Sequence, residues 1–264
     1  MSIIKKYNQR VDRVHSSVCV GLDCDWENIP DAYKKLPFPQ FAFNQFIIEE
    51  THQYVAAFKP NSAFYEARGD QGMRELKMTI AYLQEKYPDI VTILDAKRGD
   101  LAHTNKSYVA FAFDWLGFDA ITLNPYCGRE ALTPFLERQD KASIILCRTS
   151  NPGARELQDV LIEGKPLWQK VASLVANEWN NNNNCLLVVG ATYPEEMRVI
   201  RQLAPHMTFL VPGVGAQGGD LRAIIEAGQP TKQLIINSSR GIIFSDNPAS
   251  AAKKLRDEIN SVLC

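Results

Sequence analysis

The chain has few of the features that would direct it to a membrane or to nucleic acid. No run approaches the roughly 20 apolar residues that a membrane-spanning helix needs, and residues 1–10 lack the apolar core of a signal peptide. With 29 basic and 30 acidic residues the formal net charge is only -1, so the chain as a whole does not attract nucleic acid or anionic lipid. We therefore expect a cytoplasmic protein with no membrane or nucleic-acid partner.

Cysteine and histidine are also sparse. The six cysteines show no Cys-x-x-Cys spacing, and Cys19, Cys147 and Cys185 fall within apolar runs, where a thiol behaves as a small hydrophobic group. This use of cysteine is typical of a reducing cytosol. Of the four histidines only His103 lies near a charged motif, and we interpret it as a helix-surface residue. No zinc-type spacing, nucleophile elbow or Walker loop occurs, so we expect neither a metal nor an organic cofactor.

What the sequence does have is a repeated alternation of short β-rich runs and longer helical patterns. Strands are predicted at residues 17–23, 55–60, 90–95, 120–124, 143–148, 186–192, 208–212 and 233–238. Helices are predicted at residues 41–54, 72–85, 104–116, 130–137, 167–179, 194–203, 219–227 and 248–262. Apolar strands that alternate with helices are typical of a parallel sheet covered by helices, and eight repeats in 264 residues fit a closed barrel. We predict the α/β class, with residues 1–264 forming a single (β/α)8 TIM barrel.

Two local patterns refine this prediction. Thr192 followed by Glu195 fits a capping box, which predicts a helix start after the sixth strand. The run 180–184 consists of five asparagines, and we expect it to form an exposed loop at the N-terminal face of the barrel with no catalytic role.

Polar and glycine-rich residues gather where the predicted strands end. Active sites of (β/α)8 barrels are built from the C-terminal ends of their strands, so this placement favours function. The candidate residues at or just beyond these ends are Asp23, Lys59, Asn61, Asp95, Lys97, Asp100, Ser150, Pro212, Gln217, Ser239, Arg240 and Gly241.

The most informative motif is Asp-Ala-Lys-Arg-Gly-Asp at residues 95–100, directly after an apolar strand. Successive strand side chains point to opposite faces, so Asp95 and Lys97 share one face, and Asp100 adds a second carboxylate nearby. A structural ion pair would explain Asp-x-Lys as well. Its position at a strand tip favours a functional role, and Lys97 would compete with magnesium for the two carboxylates.

The seventh and eighth strand ends together predict a phosphate site. Glycines free the backbone to approach an anion, and barrels commonly bind phosphate at this place. A tight turn, with Arg240 paired to a carboxylate, is the alternative interpretation. We favour a phosphomonoester substrate. The backbone at Gly213, Gly215, Gly218 and Gly219 and the side chains of Gln217 and Arg240 would bind its phosphate.

Together these motifs resemble the orotidine 5'-monophosphate decarboxylase family. The resemblance runs from about residue 17 to residue 241, and residues 60–66 are similar to the longer, bacterial-type subfamily. Asp-x-Lys-x-x-Asp alone also occurs in metal-dependent sugar-phosphate decarboxylases and aldolases of the same superfamily. The joint pattern is specific, and it comprises Gly-Leu-Asp, Lys-Pro-Asn, Asp-x-Lys-x-x-Asp, Arg-Thr-Ser-Asn, Pro-Gly-Val-Gly-Ala-Gln and Ser-Arg-Gly.

The resemblance implies cofactor-free loss of CO2 from C6 of orotidine 5'-monophosphate (OMP) to give UMP, the last step of de novo pyrimidine biosynthesis. Lys97 would stabilise and protonate the C6 carbanion, beside Asp95 and Lys59. The resemblance also implies a homodimer, in which Asp100 and Thr104 cross into the partner's site.

The same resemblance assigns the substrate contacts. Asp23 and Lys59 would bind the ribose and Ser150 the edge of the pyrimidine, while Gln217 and Arg240 would bind the phosphate. The remaining members of the expected binding site are Asn61, Pro212, Ser239 and Gly241.

Two other functions remain open from the sequence. A magnesium-dependent sugar-phosphate decarboxylase or aldolase would need a metal-binding carboxylate at the second strand, where this chain has Lys59. A nucleotide-binding barrel could instead sense UMP without catalysis. The polar segment 151–165 is a candidate lid, whereas shorter family members close mainly with the loop after strand seven.

Overall fold

Eight parallel strands close into a barrel in the computed structural model, which describes residues 1–214 and 220–262. The barrel strands are β1 (Val18–Val20), β2 (Ala57–Phe58), β3 (Val91–Arg98), β4 (Ala120–Leu123), β5 (Ala142–Arg148), β8 (Cys185–Val189), β9 (Phe209–Pro212) and β10 (Leu234–Ser238). Neighbouring strands follow the order β1-β10-β9-β8-β5-β4-β3-β2, and β2 closes on β1. Each lies within or close to a predicted strand, so the (β/α)8 prediction is confirmed.

Helices follow the strands and cover the barrel. They are α1 (Ile3–Val14), α2 (Asp31–Lys34), α3 (Pro39–Thr51), α4 (Ala63–Glu66), α5 (Gly69–Lys86), α6 (Ala102–Val109), α7 (Gly128–Leu136), α8 (Ala154–Gln158), α9 (Leu167–Leu174), α10 (Pro194–Leu203), α11 (Leu221–Gly228), α12 (Arg240–Ile243) and α13 (Pro248–Ser261). Helices α6 and α9 continue as π-helical turns at Ala110–Trp115 and Val175–Trp179, which explains the lengths predicted from the pattern. None of the helices described in these two ranges is long and apolar enough to cross a membrane.

The strands are buried on both faces, and alternate residues enter two different packing layers. Along β8, Leu186 and Val188 belong to the cluster inside the barrel, whereas Leu187 and Val189 pack outward against the helices. The buried Cys19, Cys147 and Cys185 take part in these layers, as their apolar surroundings predicted. Continuous apolar strands are therefore required because neither face meets solvent.

Helix α1 covers the N-terminal end of the barrel, a feature that the sequence pattern did not predict. Ile3 and Tyr7 of this helix fill the N-terminal end of the barrel, where they pack against the apolar side chains inside it. The Tyr7 hydroxyl donates to the carbonyl of Leu234, and Lys6 Nζ lies 2.7 Å from Asp119 Oδ2. With this end occupied, the space inside the barrel opens at the C-terminal ends of the strands.

Two local predictions need correction. Helix α10 begins at Pro194, where the fixed φ of proline suits the first helical position, and its N-cap residue is Tyr193, whose side chain makes no capping bond. The predicted capping box of Thr192 and Glu195 is therefore wrong. The loop at 180–184 is exposed only in part, because Asn184 is buried and its Nδ2 donates to the carbonyls of Leu136 and Arg138.

Candidate active site

The C-terminal mouth of the barrel holds two adjoining cavities that share Lys59, Asp95 and Pro212. The larger has a volume of about 430 Å³ and the smaller about 180 Å³. The larger is lined by Lys59, Asp95, Lys97, Thr122, Leu146, Thr149, Ser150, Asn151, Gln158, Val188, Leu210 and Pro212. The smaller is lined by Asp23, Lys59, Asp95, Pro212, Gly213, Val214, Asn237, Ser238, Ser239 and Arg240. Most of the predicted site residues therefore meet at one end of the barrel.

Carboxylates and ammonium groups alternate across this mouth. Lys59 is only 3% exposed, and its Nζ lies 3.2 Å from Asp95 Oδ2 and 3.9 Å from Asp23 Oδ1. Lys97 Nζ lies 2.7 Å from the other oxygen of Asp95, and Thr122 Oγ1 donates to that same oxygen at 2.9 Å. Each oxygen of Asp95 thus contacts an ammonium group. The four side chains form a row of alternating charges in the order Asp23, Lys59, Asp95 and Lys97.

This arrangement keeps its members ionised. Burial opposes ionisation of Asp95, but the charges of Lys59 and Lys97 outweigh it and hold the pKa of that carboxyl well below its usual range. Burial would also lower the pKa of Lys59, yet the neighbouring carboxylates of Asp23 and Asp95 raise it above the ordinary lysine value. At neutral pH the two groups are a carboxylate and an ammonium held in fixed positions.

The backbone places Asp95 and Lys97 by different means. The backbone of Asp95 is fixed to the neighbouring strand end, because the Asp95 N–H donates a hydrogen bond to the carbonyl of Pro60 at 3.0 Å. Beyond Leu94 the pairing of β3 with β4 shifts in register, and Lys97 has a φ of 48°, in the left-handed region. Its N–H donates to Thr122 Oγ1 at 2.9 Å. Such a conformation is costly for a non-glycine residue and persists only where its surroundings hold it.

Asn61 connects the first and second strand ends. Its N–H donates to Asp23 Oδ1 at 3.1 Å, and the residue forms a parallel bridge with Asp95. Asn61 is not among the residues that line the two cavities. It therefore orients Asp23 through its backbone.

Asp100 and Thr104 lie outside the cavities of their own chain. Both side chains are exposed, and Asp100 Oδ1 accepts a hydrogen bond from the N–H of Leu101 at 2.6 Å. Within residues 1–214 and 220–262 Asp100 makes no ion pair with Lys97. Neither residue is therefore part of the site that its own chain forms among the described residues.

Ser150 sits at the wall formed by the segment between β5 and α9. This segment contains α8 and a two-stranded hairpin, β6 (Leu161–Ile162) and β7 (Lys165–Pro166). Gln158, at the end of α8, holds the backbone next to Ser150, because its Oε1 accepts from the N–H of Thr149 at 3.0 Å and its Nε2 donates to Thr149 Oγ1 at 2.8 Å. The candidate lid at 151–165 thus reaches the larger cavity through Asn151 and Gln158.

A buried arginine attaches the same segment to the barrel. Arg148 is 1% exposed, and its guanidinium lies 3.0 Å from Asp159 Oδ1 and 3.6 Å from Glu196 Oε1. The guanidinium carbon also lies 4.1 Å from the centre of the Tyr193 ring. The segment after α8 is therefore tied to β5 and to the start of α10.

The predicted phosphate end is only partly described. Pro212, Gly213, Ser239 and Arg240 line the smaller cavity, and Gly241 is the next, exposed residue of α12. Arg240 is exposed and forms no ion pair with any of the described residues. Its alternative interpretation as a partner of a nearby carboxylate is thus not favoured. The predicted residues that lie outside the described residues are Gly215, Gln217, Gly218 and Gly219.

Several neutral residues that face the cavities are not among the predicted site residues, and they include Thr122, Gln158 and Asn237. Strand alternation could have found two of them, because each stands two positions beyond an inward-facing residue of its strand, Ala120 in β4 and Ile235 in β10. Gln158 lies in a helix that the pattern did not predict. His103 is exposed on α6, as expected. In the part of the chain that is described, no group of three or more histidine, cysteine, aspartate or glutamate side chains could hold a metal ion.

A closed parallel barrel whose carboxyl mouth carries alternating ammonium and carboxylate groups is the architecture of TIM-barrel enzymes, which build their active sites at this end of the barrel. The family model described as the orotidine 5'-phosphate decarboxylase / HUMPS family matches residues 16–255. The chain belongs to this family, which confirms the resemblance of its motifs.

Similar proteins extend over nearly the whole chain. The orotidine 5'-phosphate decarboxylase of Cellvibrio japonicus is 47% identical over 271 residues, covering 98% of each chain. The structure of Leishmania donovani OMP decarboxylase is 39% identical with a TM-score of 0.89, covering 99% of this chain and 98% of that one. Leishmania donovani UMP synthase is 41% identical with a TM-score of 0.90, and the match covers 99% of this chain but 56% of the longer synthase chain.

Proposed function

We propose that the protein is a carbon-carbon lyase that converts OMP to UMP and CO2 in de novo pyrimidine biosynthesis, in the cytoplasm, as a single barrel domain without metal or organic cofactor. The observation that carries this proposal is the position of Lys97. Its ammonium group lines the larger cavity and is held 2.7 Å from Asp95 Oδ1. The side chain is 48% exposed, so it is open to a ligand in that cavity.

The difficulty of this reaction is electronic. Loss of CO2 from C6 leaves a lone pair in the plane of the pyrimidine ring, where the π system cannot delocalise it. A positive charge fixed beside C6 stabilises the developing anion, and it acts strongly because it is already oriented before reaction. Lys97 supplies this charge and then donates the proton that replaces the carboxylate.

Asp95 and Lys59 support Lys97 in this scheme. Asp95 orients the ammonium of Lys97 and faces the carboxylate of the substrate, which it repels in the ground state. Lys59 lies on the far side of Asp95 and balances the negative charge of that carboxylate. Because Lys59 is buried, this charge is only weakly screened by solvent. The pKa directions of Asp95 and Lys59 support this assignment, because both groups stay ionised near neutral pH.

The two cavities suit the two ends of a nucleotide. Ser150 lies with Lys97 in the larger cavity and would contact the pyrimidine edge, while Asp23 and Lys59 would bind the ribose. Arg240 and Ser239 line the smaller cavity and would bind the phosphate, together with Gln217. The other predicted contacts are Asn61, which holds Asp23, and Pro212 and Gly241, which adjoin the phosphate end.

A homodimer would complete the site. Asp100 and Thr104 are exposed at the start of α6, and the neighbouring Leu101 is 65% exposed although it is apolar. An apolar side chain next to a carboxylate that forms no ion pair within residues 1–214 and 220–262 suits an interface better than open solvent. We propose that Asp100 reaches the Lys97 of the partner chain and that Thr104 binds the partner's substrate.

Magnesium-dependent chemistry on a sugar phosphate is less favoured by the donors at the mouth. Both oxygens of Asp95 are bound by ammonium groups, and Lys59 stands at the strand end where a further carboxylate would be required. A UMP sensor without catalysis would not need Lys97 to be held at the cavity.

The direct test follows the loss of the ultraviolet absorbance of OMP with purified protein. We expect decarboxylation at an equal rate with and without EDTA. Absence of turnover would refute the enzymatic proposal, and turnover that EDTA abolishes would favour the metal-dependent alternative.

Arg240→Ala is expected to raise KM for OMP by at least about tenfold, because a charge-assisted hydrogen bond to phosphate is lost. Turnover of orotidine, which has no phosphate, should be unchanged by the same substitution. Steady-state kinetics with both substrates measures this difference. If both substrates were affected equally, Arg240 would not act on the phosphate. The exposed Arg222, which pairs with Glu226 on α11, provides the control as Arg222→Ala.

Gly190→Ala is expected to lower kcat/KM for OMP by about tenfold or more, since small displacements at a reacting site are costly. A Cβ at position 190 would lie 2.9 Å from both the backbone nitrogen and the Cβ of Ser150, so Ser150 must move. Gly153→Ala is the matched control, because its Cβ would meet nothing closer than 3.7 Å. Equal kinetics for the two variants would show that the position of Ser150 does not matter.

A further inference from the structure

Asn237 is a buried amide that lines the smaller cavity. It lies in β10 two positions after Ile235, which packs inside the barrel, so its side chain also points inward. In the parallel register it is level with Cys19 of β1 and Pro212 of β9. The residue is 5% exposed.

The hydrogen bonding of this amide is incomplete. Asn237 Nδ2 donates to Ser239 Oγ at a long 3.4 Å. Its Oδ1 has no partner among the described residues, although it is fully buried. Buried side-chain oxygens are nearly always paired, and an exception at the wall of a cavity points to a ligand or a bound water as the missing partner.

Asn237 lines the smaller cavity together with Asp23 and Lys59 of the charged array and with Ser239 and Arg240 of the proposed phosphate site. Its Oδ1 therefore belongs to the cavity that would hold the sugar, the part of a nucleotide between the phosphate and the base. The atom without a partner is an acceptor, so the missing partner is a donor. Phosphate oxygens are acceptors only, whereas sugar hydroxyls donate.

We propose that Asn237 is a further substrate-positioning residue whose Oδ1 accepts a hydrogen bond from a hydroxyl of the sugar. This inference rests on the proposed function, because it takes the ligand to be a nucleoside monophosphate. The amide thereby fixes the middle of the substrate between the phosphate and the reacting base. Through this contact, binding energy at the sugar contributes to the alignment of the base with Lys97.

The test combines Asn237→Ala with OMP and its 2'-deoxy and 3'-deoxy analogues in a double-mutant cycle. With OMP, we expect kcat/KM to fall roughly tenfold in the variant, the effect of one lost hydrogen bond. With one of the two analogues, kcat/KM of the wild type should already be about as low as that of Asn237→Ala with OMP. The substitution should then lower kcat/KM for this analogue no further. Losses of equal size with all three substrates would overturn the proposal, because Asn237 would then act through the structure alone.

Two further variants protect this test from an effect on folding. Asn237→Ser keeps a small polar acceptor and should recover part of the loss with OMP but none with the sensitive analogue. Asn184→Ala is the matched control, because Asn184 is also buried, also has an unpartnered Oδ1 among the described residues, and lies at the opposite end of the barrel. It should leave the ratio of OMP to analogue turnover unchanged even if it lowers stability.

The same cycle separates this inference from the proposed function. Wild-type turnover of OMP tests the proposed function without reference to Asn237. If the wild type did not turn OMP over, the affinities of UMP, 2'-deoxy-UMP and 3'-deoxy-UMP would be compared by calorimetry for wild type and Asn237→Ala. Non-additivity with one analogue would support the sugar contact, and additive losses with both would refute it.

Discussion

Lys97→Ala should lower kcat for OMP by at least about 10⁴-fold, because one substitution removes both the charge beside C6 and the proton donor. The affinity for UMP should change by less than about tenfold, since the product carries no charge at C6 and is bound mainly by its ribose and phosphate. Single-turnover kinetics and calorimetry measure the two quantities separately. Turnover close to that of the wild type would eliminate Lys97 as the acid.

The controls for this experiment distinguish the charge from its position. Lys97→Arg keeps a positive charge but changes its shape and cannot donate a proton readily, so its turnover should also be very low. Lys253 is an exposed lysine on α13, and Lys253→Ala should behave as the wild type. A large loss in Lys97→Arg together with retained UMP affinity would show that the ammonium itself is required.

The second large effect is expected from mixing two inactive chains. Lys97→Ala and Asp100→Asn should each abolish most activity as homodimers. If Asp100 enters the site of the other chain, as proposed, one site of a mixed dimer has both substitutions and the other has none. The purified heterodimer should therefore regain about half of the wild-type activity, and a statistical mixture of chains about one quarter.

Co-expression with two different affinity tags yields the heterodimer for this assay. Recovery of activity cannot come from a site that is complete within one chain, since both chains carry a defect. If the heterodimer stayed inactive, or if Asp100→Asn alone were fully active, the shared site would be refuted. Mixing Lys97→Ala with Asp95→Asn is the matched control, because both residues belong to the same chain's site and no recovery is expected.

The barrel was predictable from the sequence because its strands are buried on both faces and appear as separate apolar runs. Helix α1 was missed because it precedes the first strand and belongs to no repeat. The capping-box prediction at Thr192 failed because Pro194 already supplies a favourable first helical residue. A local pattern of three or four residues does not show whether Thr192 or Tyr193 becomes the N-cap residue, because the surrounding structure decides between them.

The charged residues of the site were also predictable from the sequence, because ionisable groups at strand ends are easily distinguished from the apolar runs before them. Strand alternation placed Asp95 and Lys97 on one face, and their contact agrees with it, yet the left-handed φ of Lys97 and the register shift of β3 depend on pairing with Thr122. Asn237 and Gln158 carry no charge, and their significance appears only when burial and hydrogen bonding are known. Those properties arise from tertiary packing.

A crystal structure of the protein with UMP bound would show directly whether Lys97 lies beside the reacting carbon. We expect C6 of the uracil ring within about 3.5 Å of Lys97 Nζ, a reacting distance, with the phosphate on Ser239 and Arg240 and Asp100 entering from the second chain. A nucleotide whose C6 faces away from Lys97, with that ammonium directed to solvent, would refute the role of Lys97 in decarboxylation.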